Sequence, residues 1–168
     1  VRGSAGPWAA SGLQGGALEV SGDVGERLGA PLAGESAGMR GGTVMVRGNA
    51  GARAGDRLRR GTIVIEGQAG THAGSRMIAG TLVVCGGCGA LPGYLMQRGT
   101  LVLGAPAPVP SPTFVDCGVH DLVALRLFAK LLGGVSAAAA DVFRRPLRRY
   151  AGDMAVRGRG ELFVIDAG

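Results

Sequence analysis

Short apolar runs separated by glycines recur at a fixed spacing between residues 42 and 104. Gly-Thr is found at four points, each 19 residues after the last, and each is followed by three apolar residues and then, directly or after one further residue, by a glycine. The four runs are Val44–Val46, Ile63–Ile65, Leu82–Val84 and Leu101–Leu103. A unit of this length is too short for a helical hairpin, and such short strands are not stable alone. The pattern therefore predicts strands stacked in register, about 4.8 Å apart, in columns of like residues.

This repeat predicts an all-β fold, a parallel β-solenoid with one coil of about 19 residues per repeat over residues 1–104. Because the sequence starts inside a repeat, we expect this first domain to be N-terminally incomplete. Residues 105–168 are predicted to form a second part that caps the open end. It comprises a Pro-rich strap at 105–112, helices at about 121–132 and 137–144, and a short final strand at 161–165.

One outward-facing column of the predicted stack is apolar. We refer to its four members as the apolar stripe: Met45, Val64, Val83 and Val102. Water should not contact four consecutive apolar residues on an outer face, so something is expected to cover them. Two covers are consistent with the sequence, namely the C-terminal segment of the chain itself and another subunit.

The charge is strongly basic, and part of it falls at one corner of the repeat. The chain carries 18 Lys and Arg against 12 Asp and Glu, a formal net charge of +6. We define the basic corner as Arg53, Arg57, His72 and Arg76. Stacked like charges repel, so an acidic partner or an anion is expected there; a solvated edge that discourages aggregation is the alternative. Nucleic acid is not expected, because the chain has few aromatic residues for base stacking.

Cys85 and Cys88 form a C-x-x-C pair, but the other ligands of a metal site are missing. A structural zinc ion needs four ligands, and the only further cysteine is Cys117, with His72 and His120 far apart in the sequence. Packing is therefore the preferred interpretation and chemistry the alternative. Free cysteines are typical of a reducing compartment, which predicts a cytoplasmic protein. No apolar run approaches the length of a membrane span, so no membrane contact is expected.

Three segments resemble a known family. They are Gly38–Thr43, Gly70–Met77 and Arg149–Asp153, the last in the C-terminal part. Together with the glycine-rich units they resemble the C subunit of formylmethanofuran dehydrogenase, and especially its counterpart in the bacterial formyltransferase/hydrolase complex. That GXGXG-repeat family is related to the C-terminal domain of glutamate synthase.

The resemblance implies a right-handed parallel β-helix and a role in tetrahydromethanopterin-dependent one-carbon metabolism, the route of formaldehyde oxidation. It implies a hetero-oligomer that moves a formyl group from formyl-tetrahydromethanopterin to a methanofuran-type carrier such as methylofuran and then releases formate. Zinc and the carrier would belong to other subunits. This chain would be a non-catalytic scaffold without a cofactor or catalytic residue, and its basic corner would face a partner subunit or the oligoglutamate tail of the carrier.

Two other functions are kept as alternatives. One is a glutamate synthase-type GXGXG domain that serves an amidotransferase, and the other is a purely structural β-solenoid. A helical cap argues against the second, because capping blocks the end-to-end stacking of repeats. Co-purification with a formyltransferase, rather than with a flavin and iron–sulfur synthase, would separate the scaffold from the amidotransferase domain.

Overall fold

The computed structural model describes residues 1–106 and 110–166. That part of the chain contains eight strands and two helices. The strands are β1 (Ala17–Val20), β2 (Arg40–Val46), β3 (Arg60–Ile65), β4 (Thr81–Val84), β5 (Arg98–Leu103), β6 (Val115–His120), β7 (Leu147–Gly152) and β8 (Arg159–Ile165). The helices are α1 (Val123–Gly133) and α2 (Ala137–Val142).

All eight strands belong to one open sheet with the order β1-β2-β3-β4-β5-β8-β7-β6. The pairs from β1 to β5 are parallel, and so is the pair β5–β8. The remaining pairs, β7–β8 and β6–β7, are antiparallel. β8 is therefore inserted between β5 and β7, and β1 and β6 form the two edges of the described sheet.

The predicted fold class, an all-β right-handed parallel β-helix, is wrong. The structure is an open, mixed eight-stranded sheet with two short helices, and this sheet does not support a description as GXGXG coils. The repeat specifies parallel neighbours only for residues 17–103, whereas the later strands extend the same sheet with antiparallel pairs. The alternative of a structural β-solenoid is excluded with the fold on which it depended.

The 19-residue interval sets the register of the central strands. Thr62 lies opposite Thr81 and Thr81 opposite Thr100, so that each aliphatic run pairs with the next. Gly61 shows why a glycine precedes each run: its φ is +94°, and a Cβ would lie 2.6 Å from the carbonyl oxygen of Gly42. Outside the strands, single parallel bridges also join consecutive repeats, at Ala5, Val24, Ala50, Ala69 and Cys88.

Both faces of the central strands are buried, which explains their continuous apolar runs. On one face, strand residues such as Ile63 and Leu82 pack with Leu58, Met77 and other side chains from the turns. On the other face, the apolar stripe joins a second cluster built from the C-terminal segment. Burying each Leu, Ile or Val fully contributes about 1.5–3 kcal/mol, so two such layers hold the parallel strands together.

The two helices cover the second face of the sheet. Leu125 and Leu132 of α1 and Val142 of α2 are buried in the cluster that contains the apolar stripe. Ser136 is the N-cap of α2, where its Oγ accepts a hydrogen bond from the backbone N–H of Ala139. The same Oγ lies 2.7 Å from Oε1 of Glu66, to which it donates. This bond fixes the start of α2 beside the end of β3.

The described part of the second predicted domain contains β6 to β8 and both helices, and the boundary at residue 104 stays a prediction. The Pro-rich strap was predicted at 105–112, and its residues 107–109 lie outside the described residues, as do 167 and 168. Within 1–106 and 110–166, no helix combines the length and the apolar character needed to cross a bilayer.

Candidate functional site

The basic corner is built from turns in which non-glycine residues adopt the left-handed conformation. Arg53 and His72 have φ values of 59° and 60°, and Arg57 and Arg76 have values of 50° and 52°. Residues other than Gly, Asn and Asp adopt this conformation rarely. The equivalent Leu91 and Leu95 of the next repeat share it, with φ values of 57° and 55°, so it is a property of the repeated turn. Because the turns repeat with the sheet, their arginines are brought to the same corner.

Three of the four predicted residues line one depression of about 420 Å³. Arg53, Arg57 and Arg76 line it with Arg27 and the loop at 31–35, and the acidic residues in the lining are Glu35 and Asp56. The guanidinium of Arg27 lies 5.5 Å from the centroid of the Trp8 ring, a cation–π contact. The loop at 31–35 therefore lies beside the arginines.

Asp56 is a buried acidic residue that binds Arg76 at this corner. It is 1% exposed, and its carboxylate accepts hydrogen bonds from Ser75 Oγ at 2.8 Å and from Arg76 Nε and Nη2 at 3.0 and 2.7 Å. The charge of Arg76 is therefore neutralised by the buried carboxylate of Asp56. Arg53 and Arg57 form no salt bridge within the part of the chain that the structure describes, so they remain available to a ligand.

His72 is placed differently from the three arginines. Its ring packs edge-on against Tyr94, with centroids 5.9 Å apart, and it does not line the depression. The structure therefore brings together Arg53, Arg57 and Arg76 but assigns His72 to an aromatic contact.

The apolar stripe is covered by the chain itself. Met45 is 4% exposed, and Val64, Val83 and Val102 are fully buried. They pack in one cluster with Leu125, Leu132, Val142, Phe143 and Phe163. Of the two covers left open by the sequence, the structure shows the C-terminal segment in place, and the four side chains are not accessible to a partner subunit.

Cys85 and Cys88 are poorly suited to chemistry. Burial raises the pKa of each thiol to about 12, and the negative charge of Glu66 adds to the effect at Cys85. The thiolate is the nucleophile and the metal ligand, so a raised pKa disfavours both roles for these thiols at neutral pH. Among the described residues, no group of three or more His, Cys, Asp or Glu side chains gathers in a way that could hold a metal ion.

Two arginines that line a second depression were not predicted from the sequence. Arg157 and Arg159 lie beside Arg59, Arg60 and Arg98 at a second depression. A signal was present, because Arg159-Gly160 repeats the Arg-Gly that opens β3 and β5. It was missed because β8 falls outside the 19-residue spacing.

The comparisons with known proteins point to one assembly. No family model matches the chain. The Fhc protein that forms the C subunit of the formyltransferase/hydrolase complex from Methylorubrum extorquens is 53% identical over 53 residues, which are 32% of this chain and 20% of that protein. A chain in the X-ray crystal structure of the FhcABCD complex from the same organism, in complex with methylofuran, is 48% identical with a TM-score of 0.94.

The structural match covers 99% of this chain and 62% of that one. The chain therefore spans less than two thirds of the length of each relative. The resemblance to the C subunit that was inferred from the three sequence segments is confirmed by both comparisons.

Proposed function

We propose that this chain is a non-catalytic scaffold subunit of a formyltransferase/hydrolase complex. The observation that carries the proposal is the match over 99% of the chain, at 48% identity and a TM-score of 0.94, to a chain of such a complex. At this identity and structural similarity, the surfaces that contact partners are expected to be retained along with the fold.

In this proposal, the complex transfers a formyl group from formyl-tetrahydromethanopterin to a methylofuran-type carrier and then releases formate. Zinc, the reactive end of the carrier and the catalytic residues belong to other subunits. The internal use of polar groups in this chain supports such a division. Its buried Asp56, Ser75, Ser136 and Asp153 all take part in hydrogen bonds within the chain, which is typical of groups that hold structure.

The basic corner is proposed as the contact for an acidic partner surface or for the oligoglutamate tail of the carrier. Arg53 and Arg57 line an open depression beside the loop at 31–35 and lack a carboxylate partner among the described residues. Guanidinium groups bind carboxylates through paired hydrogen bonds, so two neighbouring arginines suit a chain of carboxylates. The reduced cysteines are consistent with a cytoplasmic location.

Co-expression with the other subunits of the complex tests the scaffold role. We expect native mass spectrometry to show this chain in a hetero-oligomer with formyltransferase/hydrolase activity, and we expect the isolated chain to be inactive. Activity of the isolated chain, or an active complex that assembles without it, would contradict the proposal. Co-purification with a flavin and iron–sulfur synthase would support the amidotransferase alternative instead.

Charge reversal tests the basic corner. Arg53→Glu with Arg57→Glu should weaken assembly or carrier retention, and the interaction of the unmodified chain should itself weaken with salt. Arg76 is left in place because it neutralises the buried Asp56. Arg144→Glu with Arg145→Glu is a matched control with the same change in net charge on exposed residues elsewhere. Equal assembly and carrier retention in both double variants would make the corner ordinary solvated surface.

A further inference from the structure

A second depression, of about 280 Å³, is lined almost entirely by arginines. The five are Arg59, Arg60, Arg98, Arg157 and Arg159, and Ile78, Ala79 and Gln97 complete the lining. All five arginines are exposed. None of them forms a salt bridge within residues 1–106 and 110–166, and no acidic residue lines the depression.

The sheet arranges four arginines in a line that we call the arginine row: Arg40, Arg60, Arg98 and Arg159. Arg40 lies opposite Arg60 on β2 and β3, and Arg98 lies opposite Arg159 on β5 and β8. Ala79 stands two residues before Thr81 of β4, the place that Arg60 and Arg98 take before the threonines of β3 and β5. This small residue lines the depression together with Arg60 and Arg98, so it leaves space between their positions in the row.

The row is electrostatically unfavourable without a ligand. Like charges directly opposite each other on paired strands destabilise a sheet. Other arginines form salt bridges within the chain: Arg47 with Glu19 and Glu66, and Arg149 with Glu161. A bound anion with several carboxylates would remove the repulsion and use the forked donors of each guanidinium.

The length of the row distinguishes between kinds of anion. From β2 to β8 it crosses five adjacent strands, which is about 19 Å at the usual spacing of strands. A single phosphate would reach only one or two of the arginines, whereas an extended peptide of about six residues spans the same length. We propose that the arginine row binds an extended acidic segment of a partner polypeptide. This proposal does not depend on the basic corner or on the proposed function.

Binding of a labelled peptide of alternating Glu and Asp, six residues long, tests the proposal on the whole chain by fluorescence anisotropy. The unmodified chain should bind it in a manner that weakens with salt. Arg98→Glu with Arg159→Glu should weaken binding at least about tenfold, since two bidentate contacts are replaced by repulsion. Ala79→Glu should also weaken binding, because it places a carboxylate in the gap that the peptide would fill.

A matched variant serves as the control. Arg144→Glu with Arg145→Glu makes the same change in net charge away from the row, and an affinity close to that of the unmodified chain would support a specific site. Arg53→Glu with Arg57→Glu tests the basic corner as the competing site, and a loss of binding there without a loss at the row would place the peptide at the corner. Equal loss in the row variant and in the Arg144→Glu with Arg145→Glu control would show nonspecific attraction, and equally effective competition by inorganic phosphate or citrate would indicate a small-anion site. Any of these last three results, or the absence of binding, would overturn the proposal.

Discussion

Arg47 and Arg98 stand on the same sheet in opposite electrostatic surroundings. Arg47 donates two hydrogen bonds of 2.8–2.9 Å to Glu19 and one of 2.8 Å to Glu66. The hydrogen bonds to Glu19, and after them the bond to Glu66, raise the pKa of Arg47. Arg98 faces Arg159 on the neighbouring strand and has no carboxylate among the described residues.

The difference shows what a repeated register does and does not decide. The register stacks equivalent positions across the sheet whatever their charge. Whether an arginine becomes part of the structure or stays available to a ligand depends on carboxylates that the repeat does not supply. Glu66 supplies one and is itself held by Ser136 of the helical cover. The arginine row has no such partner from β6 to β8 or from the helices in the described chain.

The largest expected effect comes from disrupting the sheet that carries both Arg47 and Arg98. Val83→Asp places a charge in the dry cluster under α1 and α2, where Val83 is fully buried. We expect the isolated chain to lose several kcal/mol of stability in urea unfolding, because the carboxylate finds no partner there. Val119→Asp, on the exposed edge strand β6, is the control and should change little. An equally stable Val83→Asp variant would contradict the packing of the stripe beneath the helices.

Arg76 gives the next largest effect, because it is an arginine whose partner is buried. Arg76→Met would leave the Asp56 carboxylate, 1% exposed, with only Ser75 as a side-chain donor. Breaking such a pair costs roughly 3 kcal/mol, a value at the low end of the range because the Arg76 side chain is one-third exposed. Arg57→Met, from the same depression, should stay within about 0.5 kcal/mol. Equal unfolding midpoints for the two variants would mean that Asp56 does not depend on Arg76.

A carboxylate introduced into the arginine row should form ion pairs with the neighbouring arginines. Ala79→Glu places an acid between Arg60 and Arg98, and we expect it to stabilise the free chain by a few tenths of a kcal/mol at low salt. The gain should disappear at high salt because both arginines are exposed. Ala79→Gln is the neutral control of the same size. A gain that is the same for both variants, or that survives high salt, would show that packing and not charge is responsible.

The smallest expected effect concerns Glu66, the partner of Arg47, and the nearby thiol of Cys85. Glu66 helps to raise the pKa of the Cys85 thiol, whereas burial alone raises that of Cys88. Glu66→Gln removes the negative charge that disfavours the thiolate, so the pKa of Cys85 should fall while that of Cys88 stays near 12. The pH dependence of iodoacetamide alkylation, read for each cysteine by mass spectrometry, measures this. Equal shifts at both thiols would point to a general loosening instead of a charge effect.

The sequence predicted the strands of the repeat and their parallel register well, because that information is local and periodic. Val44, Ile63, Leu82 and Leu101 could be aligned from the spacing of Gly-Thr alone, and they pair as aligned. The arginines of the basic corner could also be grouped, since they occupy equivalent turns. His72 was grouped with them on position only, and its contact with Tyr94 depends on side-chain packing that spacing does not encode.

The C-terminal part could not be predicted in the same way. Val115–His120 was not recognised as a strand, and the place of β8 between β5 and β7 depends on pairing across a long stretch of chain. The leucine spacing on α1 predicts an apolar face that includes Leu127 and Leu131, but these two side chains are 58% and 72% exposed. Helical periodicity gives the direction of a broad apolar face, while the contact with the sheet selects only Leu125 and Leu132.

The insertion of β8 beside β5 has a consequence for the order of events during synthesis. Arg98 pairs with Arg159, so 61 further residues must be made before β5 gains its second neighbour. At ordinary rates of translation this takes about 3–12 s, and in that interval the free edge of β5 and the side chains of Val83 and Val102 are open to other chains. The nascent protein therefore passes through an aggregation-prone stage that ends only once β8 is available to pair with β5, so we expect early chaperone contact with residues 81–103.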